Sequence, residues 1–138
     1  MLRLASDRDE ISVVADQWGN PTSALDIATA ILLAAAMLDR DKAFDAFGVY
    51  HLVGTGETNW SGFARRVMEA SQALGGRHAR IRDIASRDYP AKAPGPRNSR
   101  LSTAKFAAVF GWQAPEWRSS VGAVVQDLPI EETWNPAK

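Results

Sequence analysis

The residues of this chain that could do chemistry are mostly arginines. Residues 77–105 carry Arg77, Arg80, Arg82, Arg87, Lys92, Arg97, Arg100 and Lys105, half of the chain's 16 basic residues, against Asp83 and Asp88 alone. A guanidinium sets two parallel N–H groups against phosphate oxygens, so a basic loop poor in carboxylates is suited to holding a diphosphate. The same pattern also describes a solvated basic surface. Gly54-Thr55-Gly56 lies between an apolar run and a helix, as the opening of a dinucleotide fingerprint does. Asn59 stands where the third glycine belongs, and no acidic residue follows a second strand at the expected distance, so the glycines read as a tight turn whose amides could still hold an anion. Ser102-Thr103-Ala104-Lys105 fits the S-x-x-K pattern of acyl-transfer enzymes, but the companion motifs are absent and a helix N-cap is a sufficient role for Ser102. There are no cysteines, His51 and His78 stand apart, and Asp39, Asp41 and Asp45 fall in a turn that reads as solvated surface, so no metal centre is expected.

The elements that must position these residues can be read from periodicity. Met1 to Arg8 reads as the end of a helix, and Ile11 to Ala15 as a buried β-branched strand that leaves the sheet through Asp16-Gln17-Trp18-Gly19-Asn20-Pro21. Thr22 or Ser23 caps a helix on which Leu25, Ala28, Ile31, Leu32, Ala35 and Leu38 form one apolar face, predicted to lie against a core. Val49 to Val53 reads as a second strand. A helix capped by Thr58 or Asn59 follows, with Trp60, Phe63, Ala64, Val67, Ser71 and Leu74 on one side and Gly75-Gly76 at its end. Arg80 to Ile84 alternates like a half-exposed strand. Tyr89 to Pro96 must be a loop, because its prolines cannot donate ladder hydrogen bonds. Two helices close the chain, one from Ser102 to Gly111 and one carrying Trp117, Val121, Val124, Val125 and Leu128. Two or three short strands among four or five helices make an α/β layer with too little sheet, which implies exposed strand edges or a missing partner sheet.

Composition narrows the classes further. With 138 residues and 46% hydrophobic content, one domain with a genuine core is the expectation. The 16 basic and 16 acidic residues cancel, so no overall field draws the molecule to nucleic acid or to an anionic membrane. The longest apolar run, Ala30 to Leu38, is about half of the roughly 20 residues a membrane span needs. The charged residues among Met1 to Glu10 do not form a signal peptide, so a cytoplasmic location is expected.

Several of these segments also match a known pattern. Val14-Ala15-Asp16-Gln17-Trp18-Gly19-Asn20-Pro21-Thr22 resembles the D-Q-x-G-x-P-T loop of dTDP-4-dehydrorhamnose reductases, a family of extended short-chain dehydrogenases. Tyr50-His51-Leu52-Val53-Gly54 with Thr58 and Trp60 is similar to the strand and helix start of that family. Asn98-Ser99-Arg100-Leu101-Ser102-Thr103-Ala104-Lys105 is similar to its N-S-R-L-x-T-x-K segment, and Trp117 with its helix ends the pattern.

The resemblance implies the C-terminal portion of a Rossmann-like fold: residues 1–138 as a single substrate-binding domain, with the NAD(P)-binding domain absent. It implies a family reaction in which NADPH or NADH reduces the 4-keto group of a dTDP-hexulose, with a tyrosine as proton donor and a lysine four residues later. Here Tyr50 and Tyr89 are followed at that distance by Gly54 and Ala93, so no catalytic residue is expected in this chain. The glycine-rich cofactor turn is missing too, so no cofactor is expected to bind it alone. The implied contacts to a dTDP-sugar are Gln17, Thr22, Arg97 and Arg100. Gly95 stands where the family loop often has its first arginine, which leaves that phosphate contact to Arg97 or Arg100. The implied partners, besides the dTDP-sugar, are a missing N-terminal reductase half or a second copy of the chain. The alternative is a non-catalytic nucleotide-sugar-binding or regulatory subunit that pairs with a separate reductase, and an independent hydrolase built on Ser102 and Lys105 ranks last.

Overall fold

A computed structural model describes residues 1–90, 93 and 95–128 and shows an α/β arrangement. Two strands, β1 (Glu10–Val14) and β4 (Arg80–Ile84), run parallel, with Glu10 paired to Arg80 and Val14 to Ile84. Both lie where the β-branched run and the alternation predict them. Among the described residues they form a sheet of only these two strands.

The long helix α2 (Trp60–Ala73) organises the core by burying two sides. Ala64 and Met68 pack with Ile11, Ala79 and Ile81 over the sheet. Ala70, with Phe63 and Val67 behind it, meets Trp117, Val121 and Val125 of α4 (Trp117–Asp127). Trp117 is 2% exposed, and burying a side chain of that size contributes more than any other single residue here. The ends of α2 are fixed locally. Asn59, rather than Thr58, is its cap, accepting the Gly62 N–H at 2.8 Å. Gly75 takes a left-handed φ of +73°, which lets the Gly76 N–H turn back to the Ser71 carbonyl at 2.8 Å.

The helix α1 (Ala24–Arg40) forms where predicted, with Ser23 as its cap, but its predicted face does not meet a core. Leu25, Ile31 and Leu32 are 62%, 60% and 69% exposed, and Ala30 is its one buried residue. The helix rests instead on its alanines, its cap, and Asp26 and Arg40 at the dipole ends that favour them. The strand expected at Val49–Val53 is also corrected. No described strand lies beside this segment to complete a ladder, and Val49 is 77% exposed. Aromatic contacts hold it: Tyr50 meets Phe110 of α3 (Ala104–Phe110) edge-on at 5.2 Å, and Phe44 stacks on the same ring at 5.9 Å.

The remaining pieces are short. The expected N-terminal helix end is one 3-10 turn, Leu4–Ser6, and another turn, Ser86–Asp88, follows β4. Ser102 Oγ accepts the Ala104 N–H at 3.3 Å, while the cap position of α3 falls one residue later, at Thr103. Lys92 and Pro94, counted in the basic and proline-bearing stretch, lie outside the described residues. No helix among the described residues is long and apolar enough to cross a membrane.

Candidate functional site

The loop after β1 is built as a knot of three chain segments. Residues 18–19 form β2 and pair antiparallel with β3 (Thr58–Asn59), with Trp18 opposite Asn59 and Gly19 opposite Thr58. On the other side of Trp18, residues 97–99 run parallel to it. The Trp18 N–H donates to the Arg97 carbonyl at 2.9 Å, and the Ser99 N–H donates to the Trp18 carbonyl at 2.9 Å. Gln17, Arg97 and Trp60 are the next residues beyond these pairings, Trp60 being the first residue of α2. All three side chains line one cleft of about 660 Å³.

This cleft opens beside the carboxyl ends of β1 and β4, where parallel α/β sheets generally bind ligands. Ile11, Val13 and Val14 supply its apolar wall, while Ser86 and Tyr89 add polar groups. Partly buried side-chain hydrogen bonds hold its frame. Asp16 accepts from both the amide and the hydroxyl of Ser86 at 2.9 Å, which ties the ends of the two strands together. Burial pushes the Asp16 carboxyl upward, but these hydrogen bonds and the nearby charge of Arg97 outweigh it, so its pKa sits below the ordinary carboxylate value. Asn59 donates to the Ala15 carbonyl at 2.8 Å, so one side chain caps α2 and fixes the exit of β1.

The four implied contact residues fall into two groups. Gln17 and Arg97 are brought together in the cleft, and Arg97 has no carboxylate within ion-pair distance among the described residues. Thr22 and Arg100 do not join them. The Thr22 hydroxyl donates to the Asn20 carbonyl and accepts the Gly54 N–H, each at 3.0 Å. The Arg100 guanidinium donates to Glu57 at 2.8 Å and to Asn98 at 2.9 Å, near the face of Trp18. Both side chains hold the loop. Gly95 lies against the Gln17 carboxamide, whose nitrogen is 3.0 Å from where a Cβ on Gly95 would stand.

The other motifs resolve into structure. At Gly54 a Cβ would stand 2.2 Å from the Pro21 carbonyl oxygen, and at Gly56, with φ +86°, it would meet Trp117 at 3.0 Å. The Gly54 amide is taken by Thr22 and the Thr55 amide by the Pro115 carbonyl at 3.0 Å. This turn is filled by the Pro21 and Pro115 carbonyls and the Thr22 and Trp117 side chains, and it does not fit a dinucleotide diphosphate. Lys105 points away from any serine chemistry: its ammonium donates to the Val49 carbonyl at 3.0 Å and lies 4.3 Å from the Tyr50 ring centroid. The Tyr50 hydroxyl donates to the Ala46 carbonyl, so the pair is packing rather than a proton relay. Asp39 pairs with Lys42, Asp41 caps Ala43, and no group of three metal-ligating side chains exists among the described residues.

Trp60 was missed as a site residue. Its spacing places it with Phe63, Ala64 and Val67 on the inward side of α2, yet it is 54% exposed at the cleft. The signal lay in the two-residue pairing of 18–19 with 58–59, which is too short to leave a periodic pattern.

Set beside known proteins, the chain matches a family described as the RmlD substrate binding domain over residues 1–130. A dTDP-4-dehydrorhamnose reductase of Sinorhizobium fredii is 40% identical over 131 residues, which is 95% of this chain and 44% of that protein. One of Burkholderia thailandensis is 42% identical over 134 residues, 93% of this chain and 45% of that protein. Among solved structures, dTDP-4-dehydrorhamnose reductase from Bacillus anthracis in complex with NADP matches with a TM-score of 0.79 at 24% identity, covering 92% of this chain and 41% of that one. The Clostridium acetobutylicum protein matches at 0.76 and 24%, with 91% and 41% covered. These likenesses carry the Rossmann-like α/β fold, and the chain spans under half the length of the curated relatives it matches.

Proposed function

The chain belongs to the RmlD substrate-binding domain family, and we propose on that premise that residues 1–138 act as the domain of a dTDP-4-dehydrorhamnose reductase that binds the sugar nucleotide. The observation that carries this reading is the cleft at the strand ends, where Arg97 stands beside Gln17 with no carboxylate in direct ion pairing among the described residues, the nearby Asp16 being tied to Ser86. Arg97 supplies the bidentate donor for a diphosphate, and the Gln17 carboxamide offers a donor and an acceptor side by side. Thr22 and Arg100 serve the site by bracing the loop. Hydride and proton transfer belong to the remaining part of such an enzyme, where NADPH or NADH would bind, because this chain carries no tyrosine with a lysine four residues on. By itself, the chain binds nucleotide without reducing it.

The exposed apolar face of α1 and the open segment Val49–Val53 favour a second component against this domain. That component is the rest of a reductase or, in the alternative reading, a separate reductase to which this chain is a non-catalytic subunit in the cytoplasm. The test of the site is a calorimetric titration of the purified chain with dTDP, with NADPH as control, at two salt concentrations. Saturable dTDP binding that weakens with salt, beside no NADPH binding, supports the reading. NADPH binding without dTDP binding overturns it.

A further inference from the structure

The parallel pairing beside Trp18 stops early, and one side chain carries it further. In such a ladder a residue accepts from the N–H that follows its partner, as Trp18 does from Ser99. The next rung would bring the Leu101 N–H to the main-chain carbonyl of Asn20. Pro21 follows at once, and that carbonyl accepts the Thr22 hydroxyl at 3.0 Å instead. The Leu101 N–H donates to the Asn20 side-chain oxygen at 2.9 Å, so the carboxamide takes the place of the missing main-chain acceptor.

The same carboxamide serves the opposite edge. Its Nδ2 donates to the Gly56 carbonyl at 2.7 Å, just before β3, where the antiparallel pairing stops at Gly19 and Thr58. One side chain therefore adds a rung on each side of a strand only two residues long, and ladders that short hold little by themselves. The Arg100 guanidinium crosses the same gap to Glu57, but that ion pair is exposed and weakens with salt. Asn20 instead pairs a backbone donor and a backbone acceptor at once. A carboxylate of the same shape offers the acceptor and no donor.

We propose that Asn20 is a positioning residue for the cleft: by extending both ladders it holds residues 97–101 against residues 17–19 and so keeps Arg97 beside Gln17. Asn20 is not among the residues that line the cleft, and it acts through the backbone of the two segments it joins. This rests on the sugar-nucleotide reading and adds to it a residue outside the cleft on which the affinity depends.

The test measures dTDP binding by calorimetry to the full chain and to its Asn20→Ala and Asn20→Asp variants, each below its own melting transition, at about pH 7.5 and about pH 5. Asn20→Ala is expected to weaken dTDP on the order of tenfold at both, the usual worth of one or two hydrogen bonds. Asn20→Asp is expected to lose as much at the higher pH, where its carboxylate faces the Gly56 carbonyl. At the lower pH it should return to within about threefold of the parent, because a protonated carboxyl again carries both a donor and an acceptor. The charged groups on the surrounding segments, Asp16, Glu57, Arg97 and Arg100, are common to parent and variant, so the ratio of their affinities at each pH isolates the introduced carboxyl. Unchanged dTDP affinity in folded Asn20→Ala overturns the positioning role while sparing the sugar-nucleotide reading. An Asn20→Asp affinity ratio that is the same at both pH values also overturns it, and that comparison decides even where the alanine variant does not fold. A parent chain that does not bind dTDP overturns the sugar-nucleotide reading itself, and the positioning role with it.

Discussion

On one side of the molecule β1, β4, α2 and α4 bury Ile11, Met68, Ile81 and Trp117 among themselves, and on the other α1 carries Leu25, Ile31 and Leu32 largely in the open. Both sides have the periodicity of core-facing elements. What separates them is supply. The face of α2 finds a sheet on one side and α4 on the other, whereas the exposed face of α1 finds no described element, and the run Val49–Val53 finds the rings of α3 but no described strand to pair with. A hydrophobic face specifies that something packs there, and the rest of the fold decides whether that something is present.

The largest expected effect lies on the packed side. Trp117→Ala should cost about 3–5 kcal/mol, the range for deleting a buried aromatic, whereas Leu32→Ala on α1 should change stability by less than about 0.5 kcal/mol. Chemical denaturation of both variants measures the contrast, and equal losses would break it.

Gly54→Ala is next. Its Cβ would lie 2.2 Å from backbone at Pro21, so the loop must shift and the Thr22 hydroxyl must release the Gly54 amide. A loss of about 1–3 kcal/mol is expected, as for overpacking elsewhere, read as a drop in Tm with weaker dTDP binding.

Acid sharpens the comparison differently, because the groups with lowered pKa lie on the packed side. Asp16 is held down by Ser86 and Arg97 against the opposing effect of burial, and Asp83 is held down chiefly by the Arg65 guanidinium, 2.5 Å away. A carboxyl whose folded pKa is below its unfolded value stabilises the protein above the unfolded value, near 3.8, and loses that contribution as pH falls through the folded one. Stability should therefore fall with pH below about 4, and Asp16→Asn should flatten part of that fall in a series of melts.

The smallest effect on stability is expected from Leu32→Lys. It places a charge on an exposed face, so it should leave the melt unchanged while lowering any self-association seen by light scattering.

Much of this was legible beforehand. Arg80–Ile84 alternates and forms β4 at those bounds, and the apolar stripe from Phe63 to Ser71 forms α2. These elements rest on local pattern and on partners within reach. The run Val49–Val53 has strand composition but no neighbour to pair with, so pattern and outcome part there. At the site, Gln17 and Arg97 were nameable from the loop motif and the basic cluster, but the fact that they stand side by side comes from hydrogen bonds at Trp18 across about 80 residues of chain. Trp60 and the commitment of Thr22 and Arg100 to bracing were hidden for the same reason: each depends on a partner that sequence spacing does not reveal.

The most direct measurement is amide hydrogen exchange with and without dTDP. The account predicts slower exchange around Gln17–Gly19, Thr58–Trp60 and residues 97–99, with α1 and Val49–Val53 unaffected. Slowing confined to α1 or Val49–Val53 would contradict it, because the nucleotide would then occupy the open side of the molecule rather than the cleft lined by Arg97, Gln17 and Trp60.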